Sequence, residues 1–152
     1  DMDGTIYDLY KIPGWLDALR ANEMDIFSCD DMARKSLPRI REAVRALIAE
    51  GWEVGVITWA PMGIEPDTVT FDQCWEQKYS WIERNFPEIP LDRVIVAESG
   101  TPKHELVENP TALNILVDDN KLVRENWRKA GKNFKTINAS RGYVKELVGL
   151  VG

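Results

Sequence analysis

The 152 residues fit one domain, 1–152, large enough to bury a hydrophobic core, and a chain 44% hydrophobic and 29% charged is not a disordered one. A formal net charge of −6 argues against a protein that wraps a nucleic acid polymer, which needs a basic face, yet leaves room for a small phosphorylated ligand held by local cations. No apolar run approaches the roughly 20 residues of a membrane span and no signal peptide is visible, so a cytoplasmic protein without a membrane partner is expected.

The chain opens on Asp1-Met2-Asp3-Gly4-Thr5. In an extended segment the two carboxylates would point to opposite faces; a turn permitted by Gly4 can bring both to one metal ion. Taken alone, the run reads equally as a solvated turn. A calcium loop is poorly supported, because no series of further oxygen ligands ending in Glu follows. The stretch from Pro13 to Leu37 fits no regular alternation and reads as a small helical insertion carrying Trp15, Leu16, Leu19, Met24, Ile26 and Phe27.

A helix is predicted over Pro38–Glu50, with Ile40, Val44, Leu47 and Ile48 on one stripe and Gly51 as its stop. The run Glu53–Thr58 reads as a buried strand ending in a hydroxyl, followed by Trp59-Ala60-Pro61; by itself Thr58 is a strand-end threonine starting a turn. A second helix is predicted from about Thr70 to Asn85. On it Lys78 reads first as a solvated residue of an amphipathic face and second as a phosphate-side cation. Arg93–Ala97 and Ala112–Val117 read as further strands. Lys103, in the loop between them, is placed to neutralise carboxylates and phosphate oxygens, whereas His104 reads as a surface histidine.

The last of these strands runs into Asp118-Asp119. Two adjacent carboxylates at a buried strand end repel each other unless a cation or proton intervenes, and a helix cap would need only one. A helix over about Lys121–Ala130, an edge strand near Lys135–Ile137 and a closing helix over Tyr143–Val148 complete the prediction. Strands alternating with helices imply an α/β fold, a parallel sheet with helices on both faces. Ligands of such sheets bind beyond the carboxyl ends of the strands, where the insertion would act as a lid. Cys29 and Cys74 lie far apart and outside any metal-ligand spacing, as expected of reduced thiols.

The order DxDGT, strand–Thr58, loop Lys103, strand–Asp118-Asp119 resembles the haloacid-dehalogenase superfamily of phosphohydrolases over nearly the whole chain. That resemblance implies a Rossmannoid three-layer sandwich with a small cap insertion, residues 13–37, after the first motif. It implies a Mg²⁺-dependent phosphomonoester hydrolase working through an aspartyl-phosphate. Asp1 would be the nucleophile, Asp3 the general acid and base, and Thr58 and Lys103 the phosphoryl-holding residues. Asp1, Asp3, Asp119 and Asp118 would form the metal site, with Asp119 the favoured ligand of the pair and Asp118 orienting Lys103.

Within the superfamily the run Asp1–Tyr10 and the segment Gln77-Lys78-Tyr79-Ser80-Trp81 resemble the 5'(3')-deoxyribonucleotidases and their compact phage and bacterial relatives. A nucleoside monophosphate substrate is therefore expected, with Lys78, Tyr7, Tyr10 and Trp59 as binding residues and Trp15 and Phe27 as further aromatic candidates. Each aromatic has a core reading beside the functional one. The insertion is shorter than the cap typical of that subfamily. A phosphatase of sugar phosphates or other small metabolites is the alternative within the fold, and a weakly catalytic binding domain the alternative outside it. The resemblance also implies an apolar strand directly before the nucleophile. The chain begins at Asp1 rather than at Met, so about five to eight apolar residues upstream are expected in the natural protein.

Overall fold

A computed structural model describes residues 1–152. Its α/β elements in chain order are α1 (Trp15–Arg20), α2 (Leu37–Ala49), β1 (Val56–Trp59), α3 (Val69–Asn85), β2 (Val94–Ala97), β3 (Asn114–Asp118), α4 (Lys121–Lys129), β4 (Phe134–Asn138) and α5 (Val144–Val148). The predicted helices over 38–50, 70–85, 121–130 and 143–148 and the edge strand near 135–137 are all present, with ends displaced by one residue. The first predicted strand starts three residues late, because Glu53–Gly55 only leads into it. At Gly55 a Cβ would lie 2.6 Å from the Arg93 carbonyl oxygen, so the two segments can converge only on glycine. The insertion is less helical than expected: beyond α1 it consists of 3₁₀ turns at Met24–Ser28 and Asp30–Met32.

The sheet departs from the prediction. In place of one continuous parallel sheet there are two parallel pairs, β1 with β2 and β3 with β4. Val56 lies opposite Val94 in the first, and Asn114 opposite Phe134 in the second. The burial expected on both faces is only partly realised: Val56, Val94 and Val96 are buried, whereas Ile57, Ile95, Ile115 and Val117 are half-exposed. The core is not divided in the same way. Its main body joins the Met2–Leu9 loop, the insertion, α2, β1, α3, β2 and α5, takes in Ile137 of β4, and has Ile115 and Val117 of β3 packed against it. A smaller cluster of Leu116, Val123, Trp127 and Phe134 lies between the second strand pair and α4.

Two of the helices, α3 and α4, start on side-chain caps. The Thr68 hydroxyl accepts the Phe71 N–H at the start of α3, and the Asn120 side chain accepts the N–H groups of Leu122 and Val123 at the start of α4. The cap at Asn120 fixes the direction in which the chain leaves β3, and so places Asp118 and Asp119. No helix is long and apolar enough to cross a membrane.

Candidate functional site

The first five residues wind into a tight turn. The Met2 carbonyl accepts N–H groups from Thr5, Ile6 and Tyr7 at 3.0–3.1 Å, and the Gly4 N–H donates to the Tyr7 carbonyl at 2.8 Å. Gly4 sits at φ +75°, and a Cβ on it would lie 2.3 Å from Asp119 Oδ2. Glycine is thus required twice over: for its left-handed backbone, and because the late carboxylate packs directly on it. Two remote groups fasten the turn through the Thr5 carbonyl, which accepts Arg34 Nη1 at 3.0 Å and the Tyr143 hydroxyl at 2.8 Å.

At the carboxyl ends of β1 and β3 the predicted residues converge. Lys103 is buried, and its ammonium donates to Asp1 Oδ1 at 3.0 Å and to Asp118 Oδ2 at 2.7 Å. The other oxygen of Asp1 accepts the Thr5 hydroxyl at 3.2 Å, and the other oxygen of Asp118 accepts the Asn120 N–H at 2.8 Å. The backbone carbonyl of Asp118 is held by Arg124 at 2.9 Å. Carboxylate oxygens of Asp1, Asp118 and Asp119 lie within 4.8 Å of one another. Burial first, then the Asp118 charge, raise the Asp119 carboxyl above its ordinary range.

Lys78 is where the structure corrects the sequence most. Rather than lying on a solvated face it is fully buried, donating to Asp3 Oδ2 at 2.6 Å, Thr58 Oγ at 2.9 Å and the Trp59 carbonyl at 2.8 Å. Its ammonium also lies 4.5 Å from the centre of the Phe27 ring. A signal for this was present. Cys74, Lys78, Trp81 and Ile82, the buried residues of α3, fall at helical spacing, so Lys78 belongs to the apolar stripe. Asp3 is accordingly not a member of the three-acid group: one of its oxygens is tied to Lys78 and the other, Oδ1, is buried with no partner.

Tyr7 is also corrected. Its side chain is fully buried, its hydroxyl donates to the Ile26 carbonyl and accepts the Cys29 N–H, and its ring meets Trp81 edge-on at 5.1 Å. It anchors the insertion to the first turn and does not line the cavity. His104 is half-buried, edge-on to Phe134, and does not line the cavity that holds the acids. Tyr10, Trp59, Trp15 and Phe27 do line a cavity of about 540 Å³ together with Asp1, Asp3, Thr58, Lys103, Asp118 and Asp119. Trp59 is fixed by its indole N–H donating to the Thr101 carbonyl at 2.9 Å, and its ring faces the Lys103 ammonium at 5.5 Å. Arg34, Tyr143 and Arg124, which brace the acids from behind, carry no local sequence signal. Their roles depend on contacts up to 138 residues away in the chain.

The donor set suits a hard divalent cation, since all three clustered side chains offer carboxylate oxygens. Both oxygens of Asp118 are already engaged by Lys103 and Asn120, which leaves Asp119 the freer ligand. Comparison with known proteins adds nothing to this geometry: no family model matches the chain, and no curated protein or solved structure matches it significantly.

Proposed function

We propose that the chain is a Mg²⁺-dependent phosphomonoester hydrolase of the haloacid-dehalogenase type, with Asp1 as the nucleophile. One observation carries the reading: carboxylates from the first residue and from the Asp118-Asp119 step meet within 4.8 Å beside a buried lysine that bridges two of them. Acids separated by more than a hundred residues gain nothing from sharing a small volume unless positive charge belongs there. A divalent cation bound by Asp1 and Asp119 would screen the repulsion between the incoming carboxylate and a dianionic phosphate.

The chain's own groups then divide the work. An Asp1 oxygen attacks phosphorus. The Lys103 ammonium, already within hydrogen-bonding distance of Asp1, attracts the phosphoryl oxygens, and the Thr58 hydroxyl, whose oxygen accepts from Lys78, keeps its proton free to donate to one of them. Asp3, which lines the cavity, is the residue that would take up a proton, pass it to the leaving oxygen and then take one from the water that cleaves the aspartyl-phosphate. Lys78 holds Asp3 and Thr58 in one fixed relation, so the proton carrier and the phosphate-binding hydroxyl cannot drift apart.

For the substrate, a nucleoside monophosphate fits the aromatic mouth formed by Tyr10, Trp15 and Trp59 beside the acids. A panel of phosphorylated metabolites assayed with Mg²⁺ tests both levels of the proposal. Nucleotides should lead the panel and Asp1→Asn should abolish turnover. Sugar phosphates outperforming every nucleotide would reject the nucleotidase assignment, and Asp1→Asn with full activity would reject the mechanism.

A further inference from the structure

The chain enters the insertion and leaves it through a narrow neck. The Asp8 N–H donates to the Met32 carbonyl at 2.8 Å and the Arg34 N–H to the Ile6 carbonyl at 3.2 Å, with Tyr7 and Ala33 bridged antiparallel between them. Arg34 is therefore the residue at which the chain rejoins the body of the protein. Its guanidinium turns inward. Nη1 donates to the Thr5 carbonyl at 3.0 Å and to the Ala139 carbonyl at 2.9 Å. Nε lies 3.7 Å from Asp8 Oδ1, and the group stands 5.7 Å from the centre of the Tyr143 ring.

Both acceptor carbonyls belong to buried residues. One guanidinium thus joins three separate segments: the neck of the insertion, the first turn, and the residue that follows β4. Arginine suits the position because its planar fork fixes the directions of its donors and its delocalised plane packs on an aromatic ring, whereas an ammonium offers neither. Tyr143 donates its hydroxyl to the same Thr5 carbonyl at 2.8 Å, so that carbonyl is held by two side chains. The Thr5 side chain carries the constraint onward, since its hydroxyl donates to Asp1 Oδ2 at 3.2 Å. Lys103 holds the other oxygen, Oδ1, at 3.0 Å. Each oxygen of Asp1 has one of these donors, and a rotation of the Thr5 unit would remove the first.

We propose that Arg34 is a positioning residue for the Asp1 carboxylate, acting through Thr5. It fixes the peptide that aims the Thr5 hydroxyl, and that hydroxyl together with Lys103 holds Asp1 in one rotamer. The orientation of Asp1 then depends on a residue of the insertion neck that is 29 positions from Thr5 in the chain. The kinetic consequence rests on the hydrolase reading, in which Asp1 is the nucleophile; the single rotamer set by Arg34 does not.

The test compares the wild-type protein with Arg34→Met, Arg34→Lys and the isosteric Thr5→Val by two measurements. Three-bond NMR couplings between Hα and Hβ of Asp1 report its rotamer and require no turnover. The wild type should show one staggered rotamer and all three variants a mixture. Arg34→Lys keeps the charge and the stem, so it should fold even where Arg34→Met does not, while losing the two-carbonyl geometry. The second measurement is steady-state hydrolysis of a nucleoside monophosphate at saturating Mg²⁺. There kcat should fall about 100-fold in Arg34→Met and about tenfold in Arg34→Lys with KM within about threefold, because a misaimed nucleophile slows the chemical step and not binding. A single Asp1 rotamer in Arg34→Lys or Arg34→Met overturns the proposal whatever the rates, and so do kcat and KM that change in parallel. Mixed rotamers in the variants of a wild-type protein that hydrolyses no phosphomonoester would reject the hydrolase reading and leave the positioning by Arg34 standing.

Discussion

Replacing Lys78 by Met tests the buried ion pair that organises the site. Met keeps much of the apolar stem, so the loss falls mainly on the charge and its three hydrogen bonds. Asp3, whose side chain is 15% exposed, would be left with neither oxygen paired, and the Trp59 carbonyl and Thr58 hydroxyl would each lose a donor. Removing one partner of a buried pair costs about 3–5 kcal/mol, a large share of the roughly 5–15 kcal/mol that holds a domain together. Urea denaturation followed by tryptophan fluorescence reads this directly, Trp81 being buried one turn further along α3. Asp3→Asn alone should also destabilise, by stranding the lysine, whereas the double variant should cost less than the two singles together, with a coupling of about 2 kcal/mol. Additivity to within about 0.5 kcal/mol would show that Lys78 and Asp3 do not depend on each other and would refute the argument.

Gly4→Ala forces a Cβ against Asp119 Oδ2 at φ +75°; it should cost about 1–3 kcal/mol and weaken divalent-cation binding at least about tenfold, as measured by calorimetry. The raised Asp119 carboxyl makes a signed prediction about pH. Its folded form holds a proton that the unfolded chain has released, so without metal the stability falls as pH rises from the ordinary carboxylate range through the raised value. Saturating Mg²⁺ should remove that fall, and Mg²⁺ affinity should climb over the same interval; a metal-free stability that climbs there instead would contradict the assignment. Burial pushes the Cys74 thiol up to about 11, so at pH 8 a thiol reagent should modify the half-buried Cys29 promptly and Cys74 only after unfolding.

Much of the site was legible because its signals are local. Asp1, Asp3 and Gly4 lie within one turn, Thr58 and Asp118 end apolar strands, and Lys103 follows a strand in a loop. Strand ends in an α/β chain gather at one edge, so residue type and position together placed these groups near one another. Lys78 was half-legible. Its helical phase put it among buried residues, but lysine's usual preference for solvent outweighed that phase, because nothing local shows that Asp3 and Thr58 will supply acceptors. Tyr7 failed in the opposite sense: proximity to Asp3 in sequence suggested contact with substrate, whereas the turn sends the ring inward against Trp81.

The sequence by itself determined which segments are helices and strands, since hydrophobic period, glycine stops and caps act over a few residues. It also determined which chemical groups stand at the strand ends. Only the tertiary structure decided which of those groups touch: that Asp119 rests on Gly4, that Lys103 spans Asp1 and Asp118, and that Lys78 serves Asp3 and Thr58. The hydrogen-bonded pairings among these close loops of 15 to 102 residues, and no local preference encodes the geometry of a closed loop. The division of the sheet into two pairs belongs to the same category, because strand propensity specifies that a segment is extended but not whether a neighbour is present to pair with it.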